Sequence, residues 1–169
     1  MNKDLELKLV RKYPIIFSQY GGDIRYTCMG WGMTCGDGWY NIINELCENV
    51  TTLIGNKSIK VTADQVKEKF GGLSFYYSII ASETFMNNVS YIFRNAMFKT
   101  KLGKLYWIIV DFRKKIYRTT EEKIRDVITD GEHKSYETCE LCGEPGKTRG
   151  QGWVSTQCEE CWEKSNLNR

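Results

Sequence analysis

Near its C-terminal end the chain reads "CELC" (Cys139, Cys142) and, after an interval of fifteen residues, "CEEC" (Cys158, Cys161). This C-x2-C-x15-C-x2-C spacing falls in the window of a zinc site. Two residues between ligands let one tight turn aim both thiolates at a single ion. Two such turns complete a tetrahedron of soft ligands, which selects zinc in a closed, structural site. Gly143 follows the first pair, where a knuckle needs a backbone conformation that glycine adopts freely. Between the pairs, "GEPGKTRGQGWVSTQ" supplies turn residues and then a short strand, "WVST". We therefore expect residues 138–169 to form a zinc ribbon. Its zinc is structural, because four thiolates leave no open position for water.

The remaining cysteines, Cys28, Cys35 and Cys47, have no histidine nearby to complete a ligand set, and buried free thiols are the simpler reading. Nothing at the N-terminus, "MNKDLELKLVRKYP", resembles the apolar core of a signal peptide. The longest strongly apolar run, Leu105 to Val110, is too short to cross a bilayer. We expect a soluble, cytoplasmic chain with no membrane partner.

Hydrophobic periodicity outlines an α+β core over residues 1–99, with helices packed on a small sheet. Residues 3–12 read as a helix through Leu5 and Leu9, ending before Pro14. From Asp37 to Ile54 a clean helical stripe runs through Trp39, Ile42, Ile43, Leu46, Cys47, Val50, Leu53 and Ile54. Asp37 is placed to cap that helix, and Gly36 and Gly38 make the approach tight. Ile59 to Val61 suggest a short strand. "TADQVKEKFGG" reads as a helix, with Thr62 and Gln65 as a capping box and Gly71 as its left-handed stop. "LSFYYSI" alternates through Leu73, Phe75, Tyr77 and Ile79 as a strand. Residues 83–99 carry another helical stripe, from Phe85 to Met97. Residues 104–118 fit either a helix or a strand. Thr119 or Thr120 is placed to cap a last helix before the polar turn "TDGEHKS".

Charge separates the segments better than the net value of +3 does. Residues 99–118 hold seven Lys/Arg against one Asp, and residues 119–169 hold seven basic against eleven acidic side chains. We treat 100–137 as a basic, helical insertion. The ribbon is acidic and a poor grip for phosphate.

The segment "CGDGW" before an amphipathic helix, then "QVKEKFGGLSFYY", then "CELCG…GW…C..C", resembles a family of small uncharacterised proteins of bacteriophages and prophages. The resemblance covers islands within residues 28–80 and 138–162. The family carries no catalytic assignment. The resemblance implies a viral origin, the cytoplasm of an infected host cell, and a role in evading host defence. Where it leads directly from the second helix into the zinc pair, this chain has about forty additional residues, 100–137.

Three classes of function compete. The first is a binding protein for a nucleotide-like ligand, such as a sponge for a host immune signal. The chain holds five Trp, ten Tyr and seven Phe. Trp31, Trp39, Tyr76 and Tyr77 are candidates to stack a base, Lys67 and Lys69 to supply charge, and Gly71 and Gly72 to admit phosphates. Trp39 also lies on the core stripe, and only Trp31, between two glycines, has no periodic partner. The second class is nucleic-acid binding through Lys104, Arg113, Lys114, Lys115 and Arg118, where a solvated helix face is the plainer account. The third is an enzyme. Its sole histidine, His133, lies in a polar stretch, and there is no nucleophile elbow or phosphate loop. A host protein as partner is also compatible with the sequence. Binding, with structural zinc, is the expectation we carry forward.

Overall fold

A computed structural model describes residues 1–57, 59–81, 101–150 and 152–167. Helix α1 (Lys3–Lys12) opens the chain, and the Asn2 side chain accepts a hydrogen bond from the Asp4 N–H at its start. Its inward face carries Leu9 and, unexpectedly, the carboxylate of Glu6. A 3-10 turn over Cys28–Trp31 leads into the two-residue strand β1 (Met33–Thr34), and a second over Asp37–Trp39 leads into helix α2 (Tyr40–Ile54). As the periodicity predicts, α2 buries Ile42, Ile43, Leu46, Cys47 and Val50. Asp37 does not cap it. The Asp37 carboxylate instead accepts from the backbone N–H of Asn2, which ties the two helix starts together.

Strands β2 (Ile59–Lys69) and β3 (Gly72–Ala81) form a long antiparallel hairpin, and β1 joins the other edge of β2 in parallel. The strand over 72–81 is as expected, with Leu73 and Phe75 buried. The helix expected over 62–72 is a strand. The reason is a bulge between Ala63 and Gln65. Ile59, Val61 and Ala63 face the core at a spacing of two, and one additional residue then passes before Val66 faces it again. The resulting interval of three imitates a helical repeat. Thr62 and Gln65 accordingly form no capping box. Gly71 is left-handed, with φ +80°, but as half of the two-residue hairpin loop Phe70–Gly71.

Helix α3 (Lys101–Ser135) is continuous. It settles residues 104–118 as helical, and it absorbs both the predicted cap and the polar turn. Thr119 and Thr120 donate back to the carbonyls of Lys115 and Ile116 rather than capping a new helix. His133 lies exposed in the last turn. The helix stripe read over 83–99 lies outside the described residues.

The core sits between the inner face of the sheet and the helices. Val61, Ala63, Val66, Leu73 and Phe75 meet α1, α2 and the second half of α3, where Ile124 and Ile128 are buried. Phe17 and Phe75 make an edge-on ring pair with centroids 6.5 Å apart. Gly131 lets α3 approach α2, since a Cβ there would lie 2.9 Å from Leu46 Cδ1. The exposed edge of β3 is closed by α3: Leu73 N–H donates to Ser135 Oγ (2.7 Å) and Phe75 N–H to Glu132 Oε1 (2.8 Å). Edge N–H groups left open would invite pairing with another chain.

The C-terminal ribbon pairs β4 (Lys147–Arg149) with β5 (Ser155–Gln157), followed by helix α4 (Glu159–Leu167). The strand predicted over 153–156 is shifted, and Trp153 lies exposed in the loop before it.

Candidate functional site

The four ribbon cysteines converge. The sulfurs of Cys139, Cys142, Cys158 and Cys161 all lie within 4.8 Å of one another. Each pair sits on a knuckle. In the first, Cys139 N–H donates to Glu144 O (2.7 Å) and Gly143 N–H returns to Cys139 O (2.9 Å), with Gly143 at φ +83° as its position demands. In the second, Cys161 N–H points at Cys158 Sγ (3.4 Å) at the start of α4. Thiolates bound at about 2.3 Å to a tetrahedral ion stand about 3.8 Å apart. Cys142 Sγ and Cys158 Sγ are 3.6 Å apart. The donor set therefore fits a single thiophilic metal ion with a closed shell.

Burial pushes the Cys139 thiol up, but backbone hydrogen bonds around Cys158, Cys142 and Leu141 outweigh it and bring it down to about 7. Burial and the crowded sulfur neighbours hold Cys161 protonated. Only a cation at the centre supplies the charge that lets all four thiolates form together.

The ribbon does not stand apart. Gly38 N–H donates to Glu140 O (2.8 Å), Gly36 N–H to Glu140 Oε1 (2.9 Å), and Trp39 Nε1 to Thr138 O (2.8 Å). A Cβ on Gly36 would lie 2.2 Å from the Glu140 carbonyl oxygen, and one on Gly38 2.2 Å from that of Cys139. "CGDGW" is therefore the seat of the first knuckle, and its glycines are needed because two backbones touch. Burial raises the Glu140 carboxyl, while the bond from Gly36 acts against that. Glu140 N–H in turn donates to Thr156 O (2.9 Å), and Thr156 Oγ donates to Gly71 O (2.6 Å), fixing the β2–β3 hairpin tip to the ribbon.

The predicted ligand residues fall into two groups. Lys67, Lys69 and Tyr76 share the outer face of the β2–β3 hairpin, away from the core. Lys67 Nζ lies 5.3 Å from the Tyr76 ring centre, and Lys69 Nζ 5.4 Å from that of Phe70. Gly71 and Gly72 do not form an open cradle. Gly71 N–H is taken by Glu68 Oε1 (2.7 Å), and a Cβ on Gly72 would meet Tyr136 Cζ at 2.3 Å. Trp31 is 69% exposed beyond the β1 edge. Gly32 follows it at φ +79°, where a Cβ would lie 2.8 Å from Oε2 of the buried Glu6, and the Glu6 carboxylate accepts from Met33 N–H (2.9 Å) and from the Tyr20 hydroxyl. Trp39 is fully buried, and Tyr77 is half-buried against the core.

Of the alternative nucleic-acid residues, Lys115 and Arg118 are exposed on α3, while the side chains of Lys104, Arg113 and Lys114 lie outside those described. Cys35 and Cys47 are buried, but Cys28 is exposed, contrary to the buried thiol expected. Sequence reasoning missed Glu6, Phe70, Glu140 and Thr156. Glu6 had a signal, its three-residue spacing from Leu9 on one helix face. The others act through tertiary contacts that no local pattern announces.

Among the described residues no helix is long and apolar enough to cross a membrane. Comparison with protein-family models, with curated proteins and with solved structures finds no match to this chain.

Proposed function

We propose that the chain is a zinc-stapled binding protein whose ligand is nucleotide-like and lies on the outer face of the β2–β3 hairpin. One observation carries this reading. Lys67 and Lys69 stand on one exposed strand face, each beside an aromatic ring, and neither has a carboxylate partner among the described residues. Unneutralised cations interleaved with exposed rings suit phosphate and base together. The four-thiolate centre supports binding rather than chemistry, because its shell is closed. Joined to the phage resemblance, the reading extends to sequestration of a nucleotide signal in an infected cell.

The test is calorimetric titration of the metal-loaded chain with a panel of nucleotides. Saturable binding that weakens in Lys67→Gln supports the reading. The absence of binding to any nucleotide by folded, metal-loaded protein overturns it. A second reading, nucleic-acid binding along α3, draws on the exposed Lys115 and Arg118. It requires an affinity that falls steeply with salt and that is lost in the Lys115→Gln, Arg118→Gln double variant.

A further inference from the structure

From the order of groups along the hairpin we infer that the ligand is a dinucleotide, with two bases flanking two phosphates. This rests on the nucleotide reading above and narrows it. In the register of the hairpin Tyr76 stands opposite Gln65, Lys67 opposite Ser74, and Lys69 opposite Gly72, with Phe70 at the tip. Along the outer face the sequence of groups is therefore ring, cation, cation, ring. Residues two apart on one strand face are about 7 Å apart. The backbone positions of the two lysines stand one such interval apart, and a ring closes the row at either end. A mononucleotide carries one base and can satisfy only one end. A ligand with two phosphates between two bases engages all four groups at once.

The tip residue provides the independent observation. Phe70 has φ +53° and Gly71 φ +80°, so both loop residues are left-handed, as a type I′ hairpin requires. Asn or Gly is the favoured first residue of such a loop, and a bulky side chain there is strained. Packing does not explain the phenylalanine, because its side chain is 73% exposed. The local sequence thus accepts a disfavoured conformation to hold an aromatic ring in solvent beside Lys69. The tip is also held rigid, by Thr156 Oγ on Gly71 O and by Glu68 on Gly71 N–H. Tyr136, seated in the space that Gly72 leaves, borders the row beside Lys69. A strained, exposed and anchored ring is the arrangement expected of a stacking platform.

The experiment titrates the metal-loaded full chain with AMP, with the 3′–5′ dinucleotide pApA, with a 5′–5′ pyrophosphate-linked diadenosine, and with a hexa-adenylate. The pyrophosphate-linked diadenosine, with both phosphates between its bases, is expected to bind about tenfold or more tighter than AMP and tighter than pApA, which has one phosphate between its bases; a tighter pApA overturns that order of groups. Phe70→Asn, which suits the turn and should fold, is expected to weaken the diadenosine about fivefold or more and to weaken AMP less, because a single base can still stack at the Tyr76 end. Equal affinity for AMP and both dinucleotides overturns the two-base ligand while leaving the nucleotide reading in place. So does a Phe70→Asn variant with undiminished dinucleotide affinity. A hexa-adenylate more than tenfold tighter than pApA replaces the dinucleotide by a longer single strand. Failure of every nucleotide to bind overturns this inference and the reading beneath it together.

Discussion

The Cα of Gly38 lies so close to the first metal knuckle that a Cβ there would sit 2.2 Å from the carbonyl oxygen of Cys139 and 2.4 Å from the amide nitrogen of Gly143. Both neighbours are backbone, so neither can rotate away. Gly38→Ala must therefore separate the start of α2 from the knuckle, and with it break the bond from Gly38 N–H to Glu140 O. We expect a loss of about 3 kcal/mol or more, in the range of overpacked and broken buried contacts, together with reduced metal content of purified protein. Gly152→Ala is the comparison. It has φ +87° but nothing within 4 Å of an added Cβ, so only the left-handed backbone is penalised, by about 1 kcal/mol. Denaturant unfolding of the two variants, with metal analysis, checks both magnitudes.

The hairpin loop makes a prediction that holds whatever the ligand is. Asn tolerates the left-handed region at which Phe70 sits, and Phe70 surrenders little burial at 73% exposure. Phe70→Asn should stabilise the fold by about 0.5–1 kcal/mol. In a chain of this size that corresponds to a rise of roughly 1–4 °C in melting temperature. A fall in melting temperature would mean that the ring packs against something in solution and is not a free platform.

How far the sequence could be read depended on whether a signal was local. The cysteine spacing and the Trp39-to-Ile54 stripe repeat within a few residues, and both survive in the structure. The hairpin did not, because one bulged residue at 63–65 turned a period of two into an interval resembling a helix. Its turn was also disguised, since Phe-Gly is not the Asn-Gly that announces a type I′ loop. "CGDGW" was legible as a tight approach to α2 but not as a metal seat. Its partner, Glu140, lies 104 residues away from Gly36, and only the fold brings them together.

Thiol reactivity separates the three classes of cysteine. Cys28 is exposed, the four ribbon sulfurs converge on one site that fits a metal ion, and Cys35 and Cys47 are buried. Burial pushes the Cys35 thiol up to about 12 and raises Cys47 as well, so neither offers a thiolate at neutral pH. Alkylation of the native protein followed by intact mass measurement should therefore add one group. After chelation it should add the four ribbon cysteines as well, and only in denaturant should it reach all seven. Rapid native modification of Cys35 would show that the contact between "CGDGW" and the knuckle is not closed in solution.

The same contacts decide whether the ribbon is an appendage or a staple. A free-standing ribbon would lose its metal without consequence for the core, and the core would melt unchanged. Here the ribbon holds the start of α2 through Glu140 and Thr138, and the β2–β3 tip through Thr156. These attachments reach two separate elements of the core and are joined by the bond from Glu140 N–H to Thr156 O (2.9 Å), so opening the cluster releases both elements at once. Binding energy at a structural thiolate site is folding energy. Chelation should therefore lower the melting temperature of the whole chain, in one cooperative transition, by roughly 10 °C or more, equivalent to about 4 kcal/mol. Thermal melts followed by far-ultraviolet circular dichroism, with and without excess chelator, make the measurement. Two separate transitions, or a core transition indifferent to chelator, would show that the bonds from Gly36, Gly38 and Trp39 do not couple the ribbon to the fold.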